Sequence, residues 1–200
     1  HKKYNCFRKD RPNIFQKEIQ KEKEDYKNNF INHIKKHKSF CENLIHQQIK
    51  MKILNKEKFV AYNSNLYNKT LNIYVKPDLI FHKEVFLELF PEIKIDLQEY
   101  IIVDILFKNI HFNADKSDIL NNGSIYYHKC KMYVANSSLG LKSQGFFFGK
   151  EYRHKDNILP KKEYLGYFPL TENLKYTVKD AKIWLVRLRE NYNKWKIYPK

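Results

Sequence analysis

Residues 100–108 read YIIVDILFK, and this run constrains the fold more than any other stretch of the chain. Apolar residues at both odd and even positions predict a strand that is covered on both faces of a sheet. One carboxylate, Asp104, lies in the middle of the run. A carboxylate in such a strand must pair with a cation, bind a metal or lose its charge. Asp104 is therefore the first candidate functional residue.

A second acid, Asp78, lies in the apolar stretch YVKPDLIF. If the two strands are neighbours, Asp78 and Asp104 converge, and both stay ionised only with a cation between them. Mg²⁺ takes one or two carboxylates together with waters and phosphate oxygens, so such a site predicts phosphodiester hydrolysis. A plainer interpretation remains open, in which Asp78 forms a turn after Pro77 and Asp104 pairs with a buried lysine or arginine.

The predicted elements follow the order helix, strand, strand, strand, helix, strand, which indicates a mixed α/β domain. A charged arm or helix is expected over residues 1–27, and the α/β domain over residues 28–200. The predicted elements are an amphipathic helix, or two, from Asn28 to Met51, a hairpin or two strands over 59–81, a helical turn broken at Pro91, a strand over 100–107, a helix over 125–140 that Gly140 closes, a strand at 145–149 and a basic amphipathic helix over 177–195.

The charge of the chain favours a polyanionic partner. Lys and Arg number 38 against 22 Asp and Glu, which gives a formal net charge of +16. Nucleic acid is the commonest polyanion for such a surface, with an acidic membrane surface as the rival. A basic structural or packaging protein, or a composition set by an AT-rich genome, would also explain the charge. No apolar run approaches the roughly 20 residues that span a bilayer.

The cysteines indicate a reducing, intracellular compartment. Cys6, Cys41 and Cys130 are far apart and contain no CxxC pair, so free thiols are expected. His33, His37 and Cys41 fall at helical spacing and could bind Zn²⁺, although a solvated helix face explains the same pattern.

The two acids, as Pro-Asp and Val-Asp-Ile, resemble the PD-(D/E)XK nuclease superfamily. From about Phe40 onward the chain looks like the RecB-like nuclease domain of giant DNA viruses. The residues that match the pattern are Val103, Asp104, Ile105, Phe107, Ala114, Asp115, Leu120, Asn121, Gly123, Ser124, Lys129, Tyr133, Asn136, Leu139 and Gly140.

The resemblance implies a restriction-endonuclease-like core, with a central mixed β-sheet flanked by helices. It implies a nuclease that uses Mg²⁺ or Mn²⁺ to hydrolyse DNA in replication, recombination or repair, in a cell infected by a large DNA virus. By the same resemblance the metal ligands are Glu42, as a first-helix glutamate, Asp78, Asp104 and the backbone carbonyl of Ile105.

Two positions depart from the family pattern. Leu106 stands where the family has the lysine that orients the attacking water, and Lys131 stands where it has a helix glutamine. Lys108, predicted to share the strand face of Asp104, and Lys129 are the expected substitutes for the missing lysine. The alternative is a degenerate copy that binds nucleic acid without cleaving it.

Aromatic and basic residues beside these acids are candidates for stacking on bases and contacting phosphates. Packing or an ordinary solvated surface explains the same residues. The candidates are Tyr126, Lys129 and Lys131 in one helix and Arg187 and Arg189 in the last helix.

Overall fold

The computed structural model describes residues 13–37, 41–115, 118–120, 124–142, 144–159, 166–169 and 172–191. The chain divides into two compact units, His1–Ser39 and Phe40–Lys200. The described part of the first unit is a helix, α1 (Ile14–His37).

The second unit alternates strands and helices. Its elements are β1 (Cys41–Glu42), α2 (His46–Leu54), β2 (Val60–Tyr62), β3 (Leu66–Asn68), β4 (Ile73–Val75), β5 (Leu79–His82), α3 (Lys83–Leu89), β6 (Tyr100–Ile105), β7 (Ile110–His111), α4 (Ser124–Leu139), β8 (Gln144–Phe148), β9 (Tyr152–His154), β10 (Asn157–Leu159), β11 (Gly166–Pro169) and α5 (Glu172–Asn191).

A mixed six-stranded sheet, in the order β1-β2-β5-β6-β8-β11, forms the centre of this unit. β2, β5 and β6 are antiparallel neighbours, whereas β8 runs parallel to β6. A parallel pair needs a crossover connection, and the segment that contains α4 supplies it. The order α2, β2, β5, β6, α4, β8 confirms the predicted fold class, an α/β core in which helices flank a central mixed sheet.

β6 is buried along its whole length, as the apolar run predicted. On one face Ile102 belongs to an apolar cluster that includes Met132 and Ala135 of α4. On the other side of the sheet, Phe86 of α3 packs its ring against Phe146 of β8, with 4.8 Å between centroids. Because α4 and α3 both pack on β6, an ionised Asp104 must find its partners inside the protein.

The segment from Asn28 to Met51 contains parts of two helices, the second of the two predicted alternatives, but a stretch between them is not helical. α1 ends at His37, and α2 begins at His46. Between them the backbone of Cys41 and Glu42 pairs in parallel with Val60 and Ala61 of β2. Helical spacing counted across Cys41 could not reveal this partner, because the partner strand lies on a later part of the chain.

The segment 59–81 contains four strands rather than a hairpin or two. β3 and β4 form a separate antiparallel ribbon, inserted between the sheet strands β2 and β5. Predictions for the segments of α3, which ends before Pro91, and of β6, α4 and β8 are confirmed. The last predicted helix is confirmed over 177–191 by α5, which begins earlier, at Glu172, and the predicted residues 192–195 lie outside the described residues. Gly140 follows α4 with a φ of +72°, the left-handed conformation that glycine adopts easily at a helix C-terminus. No described helix is long and apolar enough to cross a membrane.

Candidate active site at the Asp78 and Asp104 pair

Asp78, in the bend immediately before β5, lies opposite Asp104 of the neighbouring strand β6. β5 and β6 pair with Leu79 opposite Val103, so one further step of the same register sets Asp78 opposite Asp104. The Asp78 amide donates to Oδ1 of Asp104 at 3.3 Å, and the Ile105 amide donates to Oδ2 of Asp78 at 2.8 Å. The predicted convergence of the two acids is therefore present in the geometry.

Both acids are shielded from solvent, with residue exposures of 6% for Asp78 and 0% for Asp104. Two carboxylates so placed repel each other strongly unless cations or hydrogen-bond donors surround them. Backbone amides supply one donor to each. The remaining partners of Asp104 come from α4, which packs on the same face of the sheet.

Lys131 and His128 of α4 both contact Asp104. The Lys131 ammonium lies 2.8 Å from each carboxylate oxygen, and Nδ1 of His128 lies 3.3 Å from Oδ2. The two residues are three apart in the helix, so their side chains leave the same helix face. α4 therefore presents a cation and an imidazole to the buried acid.

The electrostatics of the site keep the pair charged. Burial alone would raise the pKa of Asp104, but the charge of Lys131, with the hydrogen bonds from His128 and Lys131, lowers it below its ordinary value. Burial alone would lower the pKa of Lys131, but the charges of Asp104 and Asp78 raise it.

Lys108 was expected to lie on the strand face of Asp104, but it does not contact this acid. β6 ends at Ile105, and the chain bends at Phe107 and Lys108, so the two-residue strand period no longer applies. The Lys108 ammonium donates to Oγ of Ser124 at 2.7 Å. Burial lowers the pKa of Lys108.

Lys129 also lies away from the acid pair. Its ammonium is 3.0 Å from both carboxylate oxygens of Asp118 and 2.9 Å from the carbonyl oxygen of Ile119, and its side chain is 3% exposed. Burial lowers the pKa of Lys129, opposed by the hydrogen bond to Asp118. All three ammonium donors are used, so Lys129 joins α4 to the loop before it and does not face a substrate.

Glu42 is not a helix residue and does not join the acid pair. It lies in β1, which is separated from β5 by β2, a gap of roughly 10 Å at the usual strand spacing. Its carboxylate lies 3.5 Å from the Lys52 ammonium, and its side chain is 44% exposed. The expected role of Glu42 as a metal ligand on the first helix is therefore corrected.

The lysine that contacts Asp104 was not among those predicted to act beside the acids. Lys131 was predicted to contact nucleic acid, in a position that the family fills with glutamine. His128 was not predicted at all. The spacing of His128 and Lys131, three residues apart in a predicted helix, was a signal that could have found both.

The remaining nucleic-acid candidates have different surroundings. The Tyr126 hydroxyl forms a hydrogen bond with Oγ1 of Thr177, which joins α4 to α5 and favours a packing role. Arg187 is exposed on α5. The side chain of Arg189 lies outside the described residues, as do those of His37 and Cys41 in the proposed zinc set.

The oxygen ligands fit Mg²⁺ or Mn²⁺ better than Zn²⁺. Asp78, Asp104 and the Ile105 carbonyl are the hard oxygen donors that Mg²⁺ prefers, and Mg²⁺ usually keeps several waters beside one or two carboxylates. Zn²⁺ needs three or four protein ligands. Within the described residues no three His, Cys, Asp or Glu side chains come together in a geometry that would hold a metal.

Comparison of the chain with models of known protein families gives no match, and comparison with curated proteins gives none either.

Proposed function

We propose that the chain is a metal-dependent nuclease that hydrolyses phosphodiester bonds in DNA during replication, recombination or repair. The observation that carries the proposal is the buried pair of Asp78 and Asp104, with the Lys131 ammonium bound to Asp104. Two convergent acids can share a divalent cation. Here the acids come from the residue before β5 and from β6, and the lysine beside them comes from α4.

In this proposal Asp78, Asp104 and the Ile105 carbonyl hold Mg²⁺ or Mn²⁺. When bound, the metal would supply a water of lowered pKa and neutralise charge on the scissile phosphate.

Lys131 takes the role that the sequence resemblance gave to a lysine at position 106. Its raised pKa keeps the ammonium charged at neutral pH. An ammonium has three N–H donors. Two lie on Asp104, which leaves one for a phosphoryl oxygen, where it would stabilise the charge that develops in the transition state.

A second candidate is a module that binds nucleic acid without cleaving it. Four contacts already surround the Asp104 carboxylate, from the Asp78 amide, His128 and the two bonds to Lys131. A carboxylate has about four acceptor sites, so a metal must displace one of these donors. If Lys131 replaces the metal permanently, the same geometry is a structural ion pair.

A cleavage assay distinguishes the two candidates. Labelled DNA is incubated with the full chain and Mg²⁺ or Mn²⁺, or with EDTA. The nuclease proposal expects metal-dependent cleavage that Asp78→Asn or Asp104→Asn lowers at least 100-fold, since even residues behind a metal ligand contribute about 10- to 100-fold. The matched control is Asp156→Asn, an exposed acid in the turn between β9 and β10.

Binding is measured on the same variants in EDTA. Retained binding with lost cleavage supports the nuclease. Binding by the wild-type chain, with no cleavage under any metal, supports the second candidate. Cleavage that survives both aspartate substitutions would refute the proposed site.

A further inference from the structure

An apolar pocket of about 290 Å³ lies beside the acid pair, between the β3–β4 ribbon, α4 and α5. Aliphatic side chains from all three walls line it. The lining includes the aliphatic residues Val75, Val134, Val178 and Ala181 and the larger residues Tyr74, Tyr127, Lys131 and Lys182. The volume is close to the lower end of the range for small-ligand sites, roughly 300 Å³.

Two tyrosines among the pocket residues lie largely in solvent, and the Tyr74 ring packs against the ring of Tyr67, with 5.1 Å between centroids. Tyr74 is 77% exposed, and Tyr127 is 67% exposed. Large aromatic rings held at the border of an apolar cavity offer flat faces on which another ring can stack. The two tyrosines come from different elements, β4 and α4.

The pocket and the acid pair share a wall. Lys131 lines the pocket with its side chain and binds Asp104 with its ammonium. The Tyr127 ring contacts the ring of His128, with 5.4 Å between centroids, and His128 contacts Asp104. On the other side, Val75 is three residues before Asp78, at most about 10 Å along the chain.

We propose that this pocket receives an unpaired nucleobase next to the scissile phosphate, and that the substrate is therefore single-stranded or locally unpaired nucleic acid. The inference rests on the proposed nuclease function. A base has an apolar face that stacks on tyrosine, and the phosphate of the same nucleotide can then contact a lysine at the pocket. Lys131 and Lys182 provide cations on the pocket wall, and the Lys131 ammonium binds the Asp104 carboxylate.

A duplex fits this surface poorly. In a duplex both faces of a base are covered by its neighbours, so entry into a pocket requires the base to leave the stack. An apolar peptide would fill the same volume, but it has no use for cations beside the cavity or for a position next to two acids. A chain with a formal net charge of +16 attracts phosphates before it attracts an apolar segment.

Equilibrium binding in EDTA tests the pocket without cleavage. The probe is a single-stranded 12-mer with one central 2-aminopurine, whose fluorescence falls when the base stacks. We expect quenching by the wild-type chain, and roughly tenfold weaker binding for Tyr74→Ala or Tyr127→Ala, in the range measured for one base–aromatic contact. Tyr176→Ala, an exposed tyrosine of α5 outside the pocket lining, is the matched control and is expected to bind normally.

Two further measurements distinguish binding through the base from binding through the phosphates, and test whether the base occupies the cavity. A 12-mer with an abasic site at the central position keeps every phosphate, and it should bind as weakly as the tyrosine variants. Ala181→Phe, which fills the cavity from α5, should lower single-strand binding while leaving duplex binding within twofold.

Several results would overturn the inference. They are equal affinity for the single strand and the matching duplex, normal binding by Ala181→Phe, or an abasic 12-mer that binds like the intact one. Displacement of a bound apolar dye without any effect on the oligonucleotide would identify the cavity as an apolar-ligand or peptide site. Binding of the probe is measured in EDTA, separately from cleavage. A chain that binds the base in EDTA but does not cleave DNA with Mg²⁺ or Mn²⁺ would refute the nuclease function and leave the base-binding pocket supported.

Discussion

The Lys131 ammonium bridges both carboxylate oxygens of Asp104 at 2.8 Å, across the interface between α4 and β6. Both groups are largely buried, the lysine side chain at 17% exposure and the aspartate at 0%. Removal of one partner from such a pair leaves an uncompensated charge in the interior, which is costly, whereas removal of both costs much less. This asymmetry gives the first prediction.

Lys131→Met should lower the free energy of unfolding by about 3–5 kcal/mol in EDTA, because the buried Asp104 carboxylate then loses the ammonium that offsets its desolvation. The double variant Lys131→Met with Asp104→Asn should recover a large part of that loss. Urea unfolding of the wild-type chain, both single variants and the double variant measures the coupling.

A coupling energy below about 0.5 kcal/mol would mean that the two residues act independently, as residues that share no contact do. In that case the ion pair would not be a feature of the protein in solution. Lys142→Met, at an exposed lysine after α4, controls for the loss of a surface charge.

The second prediction concerns which lysine takes part in cleavage. Lys131→Ala should lower the rate constant for cleavage by about 100-fold or more, the loss typical of a donor that stabilises transition-state charge. Lys108→Met should change it by less than about threefold, since the Lys108 ammonium lies on Ser124 rather than on Asp104. Single-turnover assays with saturating protein compare the two.

If Lys108→Met greatly lowers the rate constant for cleavage while Lys131→Ala leaves it unchanged, then Lys108 is the lysine that takes part in cleavage. Stability must be measured alongside activity, because Lys131→Ala also leaves Asp104 without its cation. Lys131→Arg keeps the positive charge and is the conservative variant for that purpose.

Leu106 gives the third prediction. Its side chain is 4% exposed and belongs to the apolar cluster under α4. Leu106→Lys restores the lysine of the family pattern, but it takes an ammonium into an apolar core, at a cost of several kcal/mol. We expect a lower midpoint in thermal unfolding and no gain in cleavage, whereas Leu106→Met should remain close to wild type. A stable Leu106→Lys chain with higher activity would contradict this account.

Part of the candidate site could be predicted from the sequence, and part depends on how the elements pack. Asp78 and Asp104 could be predicted because an acid inside an apolar strand is visible locally, and because neighbouring strands bring such acids together. Lys131 could not be assigned, because its contact depends on how α4 packs on β6. The substitute predicted from the strand period, Lys108, failed because the chain leaves the strand after Ile105.

The misassignment of Glu42 has a related cause. Apolar spacing from Asn28 to Met51 fits a helix, but the backbone of Cys41 and Glu42 pairs with Val60 and Ala61 instead. A strand of two residues has no periodicity of its own. Its existence depends on a partner later in the chain, which local sequence does not contain.

Lys129 gives a fourth prediction, about structure rather than activity. Lys129→Met removes the cation that binds Asp118 and the Ile119 carbonyl, so stability should fall by about 2–4 kcal/mol. The affinity of the folded protein for a single-stranded oligonucleotide should change by less than twofold. Urea unfolding and fluorescence anisotropy measure the two quantities. A large loss of affinity with unchanged stability would show that Lys129 contacts nucleic acid instead.

The last prediction concerns the other end of β6, where Tyr100 is fully buried. Its hydroxyl donates to the carbonyl oxygen of Glu57 at 3.1 Å. Burial, with smaller contributions from Glu99 and Glu57, raises the pKa of Tyr100 to about 12. The unfolded chain has an ordinary tyrosine pKa near 10, so the fold favours the neutral phenol. The resulting stabilisation is complete below about pH 10 and is lost as the pH rises from about 10 to about 12.

Tyr100→Phe cannot ionise, so it should be less stable than wild type by on the order of 1–2 kcal/mol at pH 8, where it lacks the hydrogen bond. The difference between the two proteins should shrink between pH 10 and pH 11.5, because only the wild type loses stability through this phenol. Urea unfolding at pH 8, 10 and 11.5 measures the difference, with Tyr176→Phe on exposed α5 as the control. A difference that stays constant across this range would place the Tyr100 hydroxyl in contact with solvent, and β6 would then lack the buried anchor at the end opposite Asp104.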